Sequence, residues 1–364
     1  EMGMTRILRV FIYSRLTDLH GDIPYSEAGQ GYTNGILKPK YDAQQDIYMD
    51  MLKELEEAVA QIGSSTTLGN SDIMFKGDTA KWKAWGNSLM LRLAMRLTKA
   101  DSATAKAWAE KAVAAGTMTS NDHIAHVPHT NGPEGINQNG HGEVFDADGN
   151  PRISKTFADW LKDDPRLPIL AARRSDGSTN PADLIGMPNG STGATVPDTS
   201  IYAEPNRNVI TGKDAPMVFQ TYAEVRLLKA EMAFRGWSVP GSAEAHYNAG
   251  VKAAMQMLSQ LYTNAAVITD AEVDAYLAKK PYDASKGWEM ISEQYWAATL
   301  LNEYESFSNW RRTGYPTLVP TSDPGSDTGG PIPRRLIWPE GEASTNAENF
   351  AAAIARQGPN NMVT

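Results

Sequence analysis

No cysteine occurs among the 364 residues. Disulfides, thiolate nucleophiles and thiolate zinc sites are therefore excluded from this chain. No run of 18 or more apolar residues is present, so no segment can cross a bilayer as a helix. Basic residues are in deficit: 34 Lys and Arg stand against 43 Asp and Glu, a net charge of −9 at pH 7. The paired basics Arg173-Arg174, Arg311-Arg312 and Arg334-Arg335 are isolated in an acidic chain, which speaks against a nucleic-acid footprint and against electrostatic docking on anionic lipid. Catalytic signatures are missing too. There is no Gly-x-Ser-x-Gly elbow, no phosphate-binding loop and no His-Glu-x-x-His pair. The chain opens at Glu1 without a signal peptide, so any targeting segment is expected upstream.

What is present points to a folded, aromatic-rich chain. The hydrophobic fraction is 41% and the charged fraction 21%, enough for a large buried core. Nine Trp and 14 Tyr outnumber 8 Phe, and Trp and Tyr join a flat apolar face to a polar handle.

Helical periodicity dominates. Ile7, Leu8, Phe11, Ile12, Leu16 and Leu19 predict a helix over 4–19, and Gly21 to Ala28 a turn-rich stop. Helices are expected at 43–62, 79–98 and up to residue 115, where Gly116 ends the third. Further helices are expected at 154–162, 218–235, 242–259, 270–277, 286–311 and 345–356. Between them lie three long irregular stretches, 117–153, 171–217 and 313–343, rich in Gly, Pro, Asn and Ser; such loops are often functional. Trp82-x-x-Trp85-Gly86-x-x-Leu89, followed by Ala105, Ala109 and Ala112, resembles a tetratricopeptide hairpin. The pair 218–235 and 242–259 repeats the idea, with Tyr222, Leu227 and Ala230, then Ala243, Tyr247 and Ala249. The expected fold is mainly α, helical hairpins carrying long loops, with little sheet.

Three constellations invite a chemical reading. His123, His126 and His129 recur at spacing three, with His141 and Glu143 downstream, a donor set suited to zinc. Pro128 breaks any regular helix there, so the spacing does not place the rings on one face, and a solvated loop is the expectation. A metal-dependent hydrolase built on these residues is the alternative. Asp146-Ala147-Asp148-Gly149-Asn150 has glycine at the fourth place of a calcium-loop pattern and Phe157 at the twelfth, so a turn is expected. Glu224 and Glu231 are seven residues apart, about 10.5 Å along a helix, at the edge of a glycosidase pair. A structural role, pairing with Arg92 or Arg96, is expected instead.

Several segments together resemble the SusD/RagB family of Bacteroidetes. They are Gly21-Asp22-Ile23-Pro24-Tyr25-Ser26-Glu27-Ala28, Pro39-Lys40-Tyr41-Asp42-Ala43 running into Leu52-Lys53-Glu54-Leu55, and Gly77-Asp78-x-x-Lys81-Trp82 running to Arg96. They continue with Tyr222-Ala223-Glu224 to Glu231, Trp310-Arg311-Arg312-Thr313-Gly314-Tyr315-Pro316, Ile332-Pro333-Arg334-Arg335-Leu336, Trp338-Pro339-Glu340 and Asn346-x-x-Asn349. The resemblance implies one domain over 1–364, with tetratricopeptide-like hairpins supporting a ligand-binding face of loops. It implies no catalysis and no cofactor. It implies a surface-exposed outer-membrane lipoprotein that captures oligosaccharide, or peptide in the RagB branch, for a SusC-like TonB-dependent transporter. The lipid-bearing Cys and an N-terminal part of the family domain are expected upstream of Glu1. A cytosolic helical-repeat adaptor is the alternative from another class.

The matched motifs read mainly as scaffold, with Trp82, Glu224, Glu231 and Arg312 holding helices together. Specificity is expected in the loops. A sugar site wants an aromatic platform with amide and guanidinium groups for hydroxyls. Tyr202 with Asn206 and Arg207 offers this in one loop, and Asn137, Gln138 and Asn139 offer amides in another. Ordinary polar loop residues are the competing reading. Taken alone, Trp310–Pro316 reads as a helix end, stopped by Gly314 and Pro316 with two Arg near its negative pole.

Overall fold

A computed structural model describes residues 1–191, 195–321 and 325–363. The outer residues of the loops 171–217 and 313–343 are thus described, while 192–194 and 322–324 lie outside the described set.

Fifteen α-helices run through the described residues. They are α1 Met2–His20, α2 Gly31–Asn34, α3 Gln44–Gln61, α4 Thr79–Arg96, α5 Ser102–Ala115, α6 Gly140–Ala147, α7 Lys155–Trp160 and α8 Leu167–Leu170. There follow α9 Tyr222–Phe234, α10 Ala243–Leu261, α11 Asp270–Lys279, α12 Gly287–Ala298, α13 Glu303–Thr313, α14 Glu342–Thr345 and α15 Ala347–Gln357. Sheet is confined to three antiparallel pairs: β1 Ile23–Pro24 with β2 Tyr41–Asp42, β3 Ala125–Val127 with β6 Met217–Gln220, and β4 Ala171–Arg173 with β5 Ala203–Pro205. The mainly helical expectation is met.

The hairpins form for legible reasons. Asp78 caps α4 by accepting from the Ala80 and Lys81 amides, and Asp101 caps α5 through Thr104. Thr221 and Glu224 make a capping box on α9, and Ser242 caps α10. α4 packs on α5, α9 on α10 and α1 on α3. Ala105, Ala109 and Ala112 of α5 are fully buried, so this helix approaches α4 closely. In α10 the close approach is made by Gly250, where an added Cβ would lie 2.8 Å from Leu227 Cγ. One apolar core runs from Met4 on α1 to Ala298 on α12.

The shared motifs are mostly joints. Trp82 Nε1 donates to Asp72 at 2.7 Å, folding the 72–77 turn onto α4 beside Phe75 and Trp85. Asp72 also accepts from the backbone of Met74, Phe75 and Gly77. Asn346 and Asn349 donate to the Pro39 and Lys38 carbonyls, Trp338 Nε1 to the Asp22 carbonyl, and Arg356 to the Asp22 carboxylate. The last helices thereby clamp the β1–β2 ladder.

Three expectations need correction. The single helix over 286–311 is two, α12 and α13, separated at Leu301, whose φ of 65° lies in the left-handed region. The break carries no Gly or Pro. Thr299 turns its hydroxyl back onto the Tyr295 carbonyl, an alternative to helix that composition does not reveal. The helix expected from 218 begins at Tyr222, because 217–220 pairs as a strand with β3. The irregular stretch 117–153 holds the eight-residue α6, too short to show an apolar period.

Candidate functional site

The two loops singled out for specificity meet along α6. Asn139 caps that helix, accepting from His141 N, and donates its amide to the Ala215 carbonyl at 2.7 Å. At the other end Arg207 donates to the Asp148 carbonyl at 3.1 Å, and Lys213 pairs with Asp146 at 2.7 Å. Gly142 lets the strands of chain touch: a Cβ there would sit 2.7 Å from the Gly212 carbonyl oxygen.

The six proposed ligand residues are differently placed around this joint. Asn139 and Asn206 are buried, 3% and 4% exposed, and their side chains hold backbone: Asn206 accepts from Asn208 N. Asn137 and Gln138 lie at the surface of the preceding turn. The Asn137 carbonyl accepts from Thr130 N, and Gln138 donates to Asn131. Tyr202 is half-buried and bonds through its backbone to Arg174 and Thr199. Arg207 belongs to a cluster around Glu204, which it meets at 3.0 Å, with Arg174 at 3.4 Å and Arg152 at 4.0 Å.

Arg152 and Pro205 carry this cluster to the edge of a cleft of about 450 Å³. Its walls are Phe145 at the end of α6, Phe157 on α7, Trp296 on α12 and one face of α13: Glu303, Ser306, Phe307 and Trp310. Pro316, Leu318 and Ile332 close it. Phe157 and Trp296 meet edge to face at 4.8 Å, so their orientation is fixed by packing. The volume falls in the range of small-ligand sites, about 300–1,000 Å³, which are mostly apolar with a few orienting polar groups. Aromatic walls with Ser306, Glu303 and Arg152 on them suit a ring with an apolar face and hydroxyl edges. Sequence reasoning missed this cleft. The signal was the spacing i, i+3, i+4, i+7 of Glu303, Ser306, Phe307 and Trp310, which places them on one helix face.

Behind α13 lies a buried ion network that fixes its place. Arg92 meets Glu224 at 2.6 Å and Glu305 at 3.4 Å, Arg96 meets Glu305 at 2.8 Å and Asp18 at 3.3 Å, and Tyr295 donates to Glu305 at 2.6 Å. Burial opposes the charge on Glu305, but Arg92 and Arg96 overcome it and hold its carboxyl below the ordinary range. Glu224 goes the other way: burial raises it and Glu305 adds to the rise, with Arg92 opposing. Glu231 pairs with Arg312 at 2.5 Å and Arg235 at 2.9 Å. The expected structural role of the two glutamates is what the structure shows, with Arg92 as partner of one and Arg312, rather than Arg96, as partner of the other. α13 ends as read, with Gly314 in the left-handed region after Arg311 and Arg312.

The histidine loop assembles no metal centre: among the described residues no group of three or more His, Cys, Asp or Glu could hold an ion. His126 Nδ1 lies 3.0 Å from the Ile124 carbonyl and His129 Nδ1 3.1 Å from that of Asn137, so both rings brace backbone.

Residues 1–339 match the family model SusD-like_2, described as starch-binding and associating with the outer membrane. No match was found among curated proteins. Among solved structures, a chitin-binding protein is 35% identical with a TM-score of 0.88, over 99% of this chain and 79% of its own. A SusD-like protein from Bacteroidetes, AC2a, is 29% identical with a TM-score of 0.84, over 98% of this chain and 81% of its own. A chitin-binding SusD homologue from Flavobacterium johnsoniae is 26% identical with a TM-score of 0.83, over all of this chain and 79% of its own. No helix among the described residues is long and apolar enough to cross a membrane. With its helical hairpins, aromatic cleft and family match, the chain belongs to the SusD-like family, whose members are binding proteins rather than enzymes.

Proposed function

We propose that the protein is a cell-surface glycan-binding subunit that captures an oligosaccharide in the cleft beside α13 and passes it unchanged to a SusC-like TonB-dependent transporter. The observation that carries this reading is the aromatic wall of Trp296, Phe307 and Trp310 in a cleft of about 450 Å³. Stacking on these rings would supply affinity, and Ser306, Glu303 and Arg152 would orient hydroxyls. None of Tyr202, Asn206, Arg207, Asn137, Gln138 and Asn139 lines this cleft; Arg207 is tied to its edge through Glu204 and Arg152, and Asn139 and Asn206 hold the neighbouring loops in shape. The two chitin-binding relatives make a β-linked N-acetylglucosamine oligomer the first ligand to try. A lipid anchor would hold the protein at the outer membrane.

Isothermal titration against chitohexaose, maltoheptaose and a mixed peptide library tests the reading. It predicts heat with chitohexaose or maltoheptaose and none with peptides. Binding of peptides with no glycan would overturn it in favour of a RagB-like role.

A further inference from the structure

The C-terminal end of α13 lines a second cleft. Glu303, Ser306, Phe307 and Trp310 face the aromatic cleft, whereas Arg311, Arg312 and Thr313 line a separate cavity of about 440 Å³. Five cations border it: Lys99, Arg235, Arg311, Arg312 and Arg334. Among the described residues no carboxylate lines it. A larger cavity of about 630 Å³ shares Lys99, Arg311 and Arg312 with it and continues past Tyr48 and Gln44; its wall also carries Asp101 and Asp18, the latter paired with Arg96.

The charges that line this cavity are only partly neutralised within the fold. Glu231 offsets one of the pair Arg235 and Arg312. Arg311 reaches only neutral acceptors: the carbonyls of Asp18 and Arg334 and the Ser308 hydroxyl. Its buried Nε has no hydrogen-bond partner among the described residues. Lys99 and Arg334 are exposed, and the ion pairs found among the described residues include neither. The C-terminal ends of α4 and α13 point here, and each contributes roughly half a negative charge. Five cations against Glu231 and two such ends leave roughly three uncompensated positive charges, in a chain whose net charge is −9. Burial lowers the proton affinity of Arg311, and neighbouring Arg96 and Arg334 add to this while Asp18 opposes it. An anion in the cavity would relieve that repulsion.

We propose that this cavity is a second ligand site, for a small molecule bearing two or more oxyanion groups, carboxylate or sulfate. Guanidinium groups supply the bidentate forks that such groups accept. The volume exceeds what one inorganic anion fills and matches a compact polyanion. The site borders the glycan cleft physically. Arg334 lies over the Trp310 ring at 5.0 Å, so a residue of the cationic cavity touches a wall of the aromatic one.

Citrate and inorganic sulfate are the probes, titrated calorimetrically into the full chain at low ionic strength. Citrate is expected to bind with a Kd of about 1 mM or tighter, and sulfate more weakly. The complex should weaken as salt is raised. K99E should weaken citrate at least tenfold while leaving oligosaccharide binding unchanged, since Lys99 lies outside the aromatic cleft. Sulfate binding with no citrate binding would also support the site and assign it to sulfate esters. Absence of both anions at 10-fold above the expected Kd, or citrate binding indifferent to K99E, overturns the proposal. Neither result bears on glycan capture, which the oligosaccharide titration reads separately.

Discussion

Arg312 shows what a single side chain holds together. It donates to both oxygens of Glu231, to the Thr98 hydroxyl and to the Asn309 amide oxygen, tying α13 to α9 and to the end of α4. Removing one partner of a buried pair leaves the other charge uncompensated, at a cost of about 3–5 kcal/mol. Arg235 still reaches Glu231, which places Arg312→Ala near the lower end. Urea unfolding is expected to show that loss; a change below about 1 kcal/mol would mean that the ion pair is not what fixes α13. His246 makes a pH-dependent contribution. Its ring is 4% exposed, and Nε2 lies 2.8 Å from the Pro240 carbonyl. Burial, with Arg226 nearby, lowers its pKa to about 4. The folded state thus keeps the ring neutral where the unfolded chain, near 6.5, takes up a proton. Stability from this residue is complete above pH 6.5 and is lost as pH falls toward 4. The Tm of the protein should drop more steeply over that window than that of His246→Gln; parallel curves would rule the contribution out.

Elements were legible in the sequence where a long apolar stripe or a terminating glycine marked them. The stripe Ile47, Met51, Leu52, Leu55 is buried along α3, and Gly116 does close α5. Legibility failed where residue type alone does not reveal the deciding interaction, whether local or tertiary. Thr299 and the left-handed Leu301 divide 286–311 with no punctuating residue. Asn139 and Asn206 look like sugar-binding amides in the sequence, but Asn139 is taken up by the distant Ala215 carbonyl and Asn206 by the local turn to Asn208 N. The α9–α10 hairpin tests the packing argument. Gly250 sits against Leu227, where even one added carbon comes within 2.8 Å. Gly250→Val should destabilise by about 1–3 kcal/mol through overpacking, read by thermal unfolding; a neutral effect would show that the two helices are free to separate.

At the scale of the whole molecule, hairpins form a rigid back and the ion network seats α13 between two cavities of opposite character. The family motifs report on that back: Trp82, Glu224, Glu231 and Arg312 are joints, and none of Trp82, Glu224 or Glu231 lines the aromatic cleft. This is why Trp310–Pro316 identified the family so readily, while saying little of ligand. Only Trp310 and Pro316 within it border the aromatic cleft, and Arg311 and Arg312 face the cationic one. The central claim is that the aromatic wall is the glycan platform. Its most direct test is the affinity of Trp310→Ala and Trp296→Ala for whichever oligosaccharide the parent protein binds, with circular dichroism confirming the fold. An aromatic anchor of this kind is worth about 2 kcal/mol, so each variant should bind about thirtyfold more weakly. Unchanged affinity in both folded variants would place the glycan elsewhere on the molecule.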